Sequence, residues 1–153
     1  LLYLNKLDYL KDNMNIKLTL IDLNKIVSHA IKEFKFKRKD IEFIVNIDKN
    51  SKFYGTEEHW ETIIDNLLAN FMRYAEKTIK ITAKNNRLTL YNDGPNIDPT
   101  LLEGIFTPFR KGIKGEFGLG LSIVKKTLNM MGYDITIKNE KKGVSFHIAK
   151  TSK

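Results

Sequence analysis

The chain has 153 residues, 42% of them hydrophobic, with 26 Lys and Arg against 18 Asp and Glu and a net charge of +8. That length and apolar content suit one globular domain around a single core. The lack of cysteine excludes disulfides and thiolate metal sites, the separated histidines His29, His59 and His147 lack the spacing of a zinc site, and no apolar run nears the roughly 18 residues that a bilayer span needs.

No signal peptide opens the sequence, so a soluble, reducing compartment is the simplest expectation. An opening Leu-Leu-Tyr in place of Met points to a piece of a longer protein. The lysines are scattered, many of them in "KEFKFKRKD" (32–40) and "KNEKK" (138–142), where they read as solvated helix ends and a turn. With no RNA-binding aromatic motif and no helix-turn-helix pattern, nucleic acid is not an expected partner. A basic surface also suits a polyphosphate ligand.

Residues 1–14 place Tyr3, Leu7, Leu10 and Met14 in a 4-3-4 spacing, the stripe of a bundle or coiled-coil helix. An ordinary terminal core helix reads equally well there. Asp22 can cap a helix over roughly 23–36. "IEFIVNI" (41–47) is a strand pattern, "KFYG" a short extension or turn, and Thr56 starts a helix that runs to about 74. "TIKITAK" (78–84) and "RLTLYN" (87–92) alternate, and Asn85-Asn86 between them signals a hairpin. Residues 93–117 carry Pro95, Pro99 and Pro108 with four glycines; they read as a long loop with one helical turn near 99–106, and loops of that length in a compact domain are usually functional. A helix follows from about 119 to 131 and stops at Gly132. Strands 133–139 and 144–150 close the chain around a turn at 140–143. This order predicts an α+β two-layer sandwich, with about five strands in a mixed sheet and three helices on one face.

Three segments carry chemistry. On the helix at 59–77, Trp60, Ile64, Leu67, Leu68, Phe71 and Ala75 share the core face at 100° per residue. Asn66, Asn70, Arg73 and Tyr74 line its edge, and Glu61, Asp65, Met72 and Glu76 fill the back. Helix interiors disfavour Asn; an Asn carbonyl can bind Mg²⁺, which takes oxygen ligands alongside phosphate, while two solvated asparagines explain the same pattern. In "YNDGPNI" (91–97), Asn92 or Asp93 can reach a ligand from a strand end, although Asn-Asp-Gly-Pro is also ordinary turn chemistry. In "GEFGLGLSIVKK" (115–126) there is no Gly-Lys-Ser/Thr of a P-loop, and the glycine order reverses the dinucleotide fingerprint. A glycine loop feeding a helix N-terminus remains, a place where free N–H groups and the helix dipole attract anions.

Taken in order, "DNLLANFMRY", "NDGPNI", "FTPF" and "FGLGLSIVKK" resemble the N, G1, F and G2 boxes of the ATP-binding catalytic domain of two-component sensor histidine kinases, in the GHKL ATPase superfamily. The resemblance covers roughly 19–150. It implies a domain over 15–153, preceded at 1–14 by the tail of a dimerisation and phosphoacceptor helix. By resemblance Asn70 chelates Mg²⁺, Asn66 supports the phosphate side, Arg73 contacts phosphate and Tyr74 flanks the purine. Asn92 or Asp93, with Gly94 and Ile97, receives adenine. Phe106 and Phe109 belong to the F box within a lid at about 98–117, Lys111 meets the phosphates, and Gly118, Leu119, Gly120 and Leu121 hold them by backbone. The cofactors implied are ATP and Mg²⁺.

The sequence departs from the family pattern at four places. Asn92 stands where the family's adenine-binding Asp sits; an amide can still suit adenine, its C=O accepting from N6 and its NH₂ donating to N1. Asn96 and Glu116 occupy positions that are often glycine, and Phe71 replaces the usual Ala. In hydrolysing superfamily members a glutamate occupies the position of Asn66 and activates water. Asn66 cannot act as a general base at neutral pH, which favours transfer to another nucleophile, a histidine on a separate helix. His29, His59 and His147 do not fit the acceptor motif, so the chain is expected to bind ATP·Mg²⁺ without phosphorylating itself. The implied partners are its own dimerisation domain, in a homodimer, and a cognate response regulator. The implied setting is the cytoplasmic side of a membrane-anchored sensor, with the membrane reached only through other segments. Another GHKL kinase or ATPase, or a degenerate non-enzymatic docking module, would share these residues.

Overall fold

A computed structural model describes residues 17–107, 110–112, 115–118 and 120–151. The helix expected at 1–14 therefore lies outside the described residues. Strand β1 (Thr19–Leu20) leads into helix α1 (Leu23–Lys35). Asp22 caps α1 by accepting from the Lys25 N–H at 3.1 Å, and Leu23, Ile26, Val27, Ala30, Ile31 and Phe34 form its buried stripe, the 3–4 spacing of an amphipathic helix. Strands β2 (Glu42–Ile47) and β3 (Tyr54–Gly55) precede α2 (Glu57–Tyr74). Thr56 caps α2, accepting from the His59 N–H at 3.1 Å, and Glu57 and Glu58 complement the helix dipole in its first turn.

Strands β4 (Thr78–Lys84) and β5 (Arg87–Asn92) follow, then the short helix α3 (Pro99–Leu102), strands β6 (Arg110–Gly112) and β7 (Gly115–Gly118), helix α4 (Gly120–Met130), and strands β8 (Tyr133–Asn139) and β9 (Val144–Lys150). The main sheet has five strands in the order β2-β4-β5-β9-β8. β2 runs parallel to β4 and the other pairs are antiparallel, so the sheet is mixed, as expected. Asn85 and Asn86 both take positive φ, 54° and 62°, the geometry of a two-residue hairpin turn.

Burial alternates along β4 and β5, with Ile79, Ile81, Ala83, Leu88 and Leu90 turned into the core. The helices cover that face; Lys80, Thr82 and Lys84 lie exposed on the other. Trp60, Phe53 and Tyr133 form an aromatic cluster, with Trp60 edge-on to both partners at centroid distances of 5.8 and 5.2 Å. The Trp60 indole N–H donates to the Tyr54 carbonyl at 3.1 Å, and the Tyr54 N–H donates to the Tyr133 hydroxyl at 2.9 Å. Phe71 packs edge-on against Phe146 at 5.2 Å, joining α2 to β9.

Two features differ from the sequence reading. β1 with β3, and β6 with β7, form small antiparallel ribbons apart from the main sheet; the second lies within the stretch read as loop. Met72, placed on the back of α2 by helical phase, is buried. α2 packs between α1 and α4, so the helix layer covers more of its circumference than a single sheet-facing stripe.

The far end of α2 is closed from outside the core. The Arg38 guanidinium donates to the carbonyls of Met72 (3.2 Å), Ala75 (2.6 Å) and Glu76 (3.2 Å), satisfying acceptors that a helix terminus leaves without partners.

Candidate functional site

Two open pockets meet along the edge of α2. An inner pocket is lined by Asn70, Tyr74, Asn92, Pro95, Ile97, Val144 and Phe146. An outer one is lined by Asn66, Ala69, Asn70, Arg73, Gly120 and Leu121. Asn70 lines both, so the pockets form one groove with an apolar inner end and a polar outer end. The α2 edge residues face it because the core face of the same helix is committed to the sheet.

The inner end is fixed by the segment after β5. Asn92 is only 3% exposed, and its Oδ1 accepts from the Gly94 N–H at 3.0 Å. A side chain at Gly94 has no room: its Cβ would lie 2.2 Å from the Tyr74 carbonyl oxygen and 2.8 Å from Asn92 Oδ1. Asp93, the alternative to Asn92 in the sequence reading, points elsewhere. Its carboxylate accepts from the backbone N–H of Glu76 at 2.9 Å and of Lys77 at 3.0 Å. Burial pushes the Asp93 carboxyl up, but donors from Lys77, Thr78 and Glu76 outweigh it and hold the group below the ordinary range.

Two further asparagines hold this segment. Asn96 donates from Nδ2 to the carbonyls of Glu140 at 3.0 Å and Gly143 at 2.8 Å. Asn139 forms a reciprocal pair with Ile97: the Ile97 N–H donates to Asn139 Oδ1 at 2.8 Å, and Asn139 Nδ2 donates to the Ile97 carbonyl at 2.7 Å. Sequence reasoning noted Asn96 only as a departure from a glycine and missed Asn139. The available signal was a polar residue ending a strand whose inward positions are otherwise Tyr133, Ile135 and Ile137.

At the outer end, Asn66 donates from Nδ2 to the Thr62 carbonyl one turn back at 2.7 Å, the local bond that polar residues make inside helices. Its oxygen lies toward Gly120, where an added Cβ would sit 3.3 Å away. Gly120 opens α4 and Gly118 closes β7. Arg73 lies exposed on the rim and Leu121 is buried beneath it. Lys111 belongs to β6, opposite Glu116 across the ribbon. Phe109 and Leu119 lie outside the described residues. Phe106 packs partly buried against the core, with the Lys125 ammonium 5.4 Å from its ring centre.

The donor set suits a hard cation shared with a polyanion. Among the described residues no group of three or more His, Asp or Glu could cage a metal. A divalent ion at Asn70 would thus take one amide oxygen from the protein and complete its shell with ligand oxygens and water, as Mg²⁺ does. Also among the described residues, no helix is long and apolar enough to cross a membrane.

Comparison with known proteins shows the family and the fold. The family described as "Histidine kinase-, DNA gyrase B-, and HSP90-like ATPase" matches residues 55–152. Sensor histidine kinase CssS of Bacillus subtilis (strain 168) is 38% identical over 153 residues, covering 97% of this chain and 34% of that protein. Sensor protein RstB of Escherichia coli (strain K12) is 40% identical over 82 residues, 47% of this chain and 19% of that protein. The chain thus spans about a third or less of these relatives. The catalytic domain of histidine kinase ThkA, in a nucleotide-free form, superimposes with a TM-score of 0.76 at 29% identity, covering 87% of this chain and 96% of that one.

Proposed function

The chain belongs to the histidine kinase-, DNA gyrase B- and HSP90-like ATPase family, and from that premise we propose that it binds ATP with Mg²⁺ and presents the γ-phosphoryl group to a histidine on a separate helical domain. The observation that carries this reading is the continuity of the groove through Asn70, which lines both ends. A purine fits the end walled by Ile97, Val144 and Phe146, and a triphosphate then runs outward along Asn70 and Arg73 to the start of α4.

The roles follow from position. Asn70 holds Mg²⁺ through its amide oxygen, and the ion neutralises charge on the phosphate oxygens when bound. Arg73 offers a guanidinium at the rim, suited to phosphate oxygens. The N-terminus of α4 turns its free N–H groups to the same region. Asn66 stands where a general base would need to be and holds its NH₂ on the Thr62 carbonyl; with no base for water there, a nucleophile must come from outside. Residues 1–14 would be the end of the helix that carries the domain on its dimeric stalk, and a response regulator would take the phosphoryl group onward.

The test is incubation with γ-labelled ATP and Mg²⁺, alone and with a helical domain carrying an acceptor histidine. Label is expected on the added domain only. Label on this chain by itself, or ATP consumed as fast without the acceptor as with it, would overturn the reading.

A further inference from the structure

The end of α1 carries an aromatic ring that the core does not take. Phe34 is buried, yet Phe36, two residues on, is 81% exposed, well beyond the next large apolar side chain among the described residues, Leu20 at 55%. A lone exposed apolar residue is ordinary; the company of this one is not. Lys32, one turn before Phe36, shares its side of the helix. Lys35, Lys37 and Lys39 flank it in sequence, and all four lysines are exposed. Among the described residues none of the four is in an ion pair. Of the two acids in this stretch, Asp40 is neutralised by Arg38 at 2.6 Å and Glu33 lies 3.4 Å from His29. The backbone on both sides of Phe36 is pinned. Phe34 is set in the core with the Lys37 ammonium 5.0 Å from its ring centre, and Arg38 is tied to Asp40 and to the carbonyls at the end of α2.

We propose that this end of α1 docks the chain on an anionic lipid surface, with Phe36 entering the headgroup boundary and Lys32, Lys35, Lys37 and Lys39 meeting the lipid phosphates. The inference is independent of the nucleotide groove. Each lysine close to such a surface adds about fivefold to binding, and a ring that leaves water there adds about tenfold. Ring and charges gain together only where the partner offers negative charge and apolar depth at one place, as a bilayer boundary does. A nucleic acid is read by guanidinium forks or by aromatic rings lining a groove. Arg38 is the only arginine of residues 32–40 and its donors are already used. Phe36 stands out from the surface instead of lining a cleft, a shape suited to a flat and yielding partner.

Co-sedimentation of the chain with phosphatidylcholine vesicles, with and without about 30% phosphatidylserine, tests this. Binding is expected to the anionic vesicles only, and it should weaken as salt is added. Phe36→Ser should lower it about tenfold and Lys35→Gln about fivefold. Lys84→Gln, on the open face of the sheet, should leave it within about twofold of native. None of these changes removes a buried side chain. In Phe36→Trp the new indole should shift its emission to the blue on anionic vesicles, against the constant signal of the buried Trp60. No binding, or binding indifferent to Phe36→Ser, overturns the inference. An equal loss in Lys84→Gln also overturns it, by assigning the attraction to the net charge of +8. A duplex oligonucleotide held more tightly than the anionic vesicles, and weakened as much by Phe36→Ser, would overturn it in favour of nucleic acid.

Discussion

The two ends of the groove are built by different means. At the inner end, three side chains from two separate parts of the sequence lock one loop: Asp93 onto the backbone beyond α2, Asn96 onto the β8–β9 turn, and Asn139 onto Ile97. At the outer end, position comes from regular helices: Asn66, Asn70 and Arg73 follow the phase of α2, and Gly120 sits where α4 begins. The inner end can therefore be loosened one bond at a time. The outer end can be altered chemically with little effect on the fold, because its residues lie on the rim of a helix whose other faces carry the packing.

That contrast makes predictions of falling size. Asn70→Ala removes the oxygen shared by both ends. Phosphoryl transfer to an added acceptor domain should drop by at least about a hundredfold, while the unfolding free energy from urea denaturation stays within about 0.5 kcal/mol of native, as for rim substitutions generally. A large loss of stability would mean that the outer end is not separable from the core. Gly94→Ala does the reverse: its Cβ overlaps the Tyr74 carbonyl, and equilibrium unfolding should show a loss of about 2–3 kcal/mol.

Asp93→Asn should cost about 1–2 kcal/mol near neutral pH, and its effect should depend on acid. The Asp93 carboxyl has a folded value below its unfolded one, so its contribution is complete above the unfolded value and fades as pH falls through the folded one. Native and variant stabilities should therefore converge under acid; a gap that stayed constant down to pH ~2 would assign the loss to packing instead of charge. The smallest effect expected is for Asn139→Ala, about 1 kcal/mol, with faster amide exchange at Ile97 and unchanged exchange along α2. Exchange that quickened equally in both would show that the loop and the helix open together.

Much of the fold was legible because local chemistry and global packing agree. Asp22 and Thr56 announce their helices by capping them, Asn85-Asn86 makes the turn its sequence suggests, and the alternation of β4 and β5 is the alternation of burial. The β6–β7 ribbon was hidden among glycines and prolines that locally favour turns. Met72 was misplaced because a helix wheel does not reveal a second neighbouring helix. At the site, the edge stripe of α2 could be read from periodicity. The direction of Asp93 and the orientation of Asn92 could not, since both depend on backbone groups that only the tertiary structure brings close. The Asn96 and Asn139 clamps join positions 47 and 42 residues apart, beyond any local pattern.

The bond from Asn96 to the β8–β9 turn gives the groove an external handle. Gly143 sits in that turn at a φ of 96°, and a Cβ there would strike the Asn92 carbonyl oxygen at 2.2 Å. The hairpin tip thus touches the strand end beneath the inner pocket while its neighbour Lys141 projects into solvent. A fluorophore attached through Lys141→Cys, in a chain that has no other thiol, would signal occupancy from outside the groove and follow loading and release in real time.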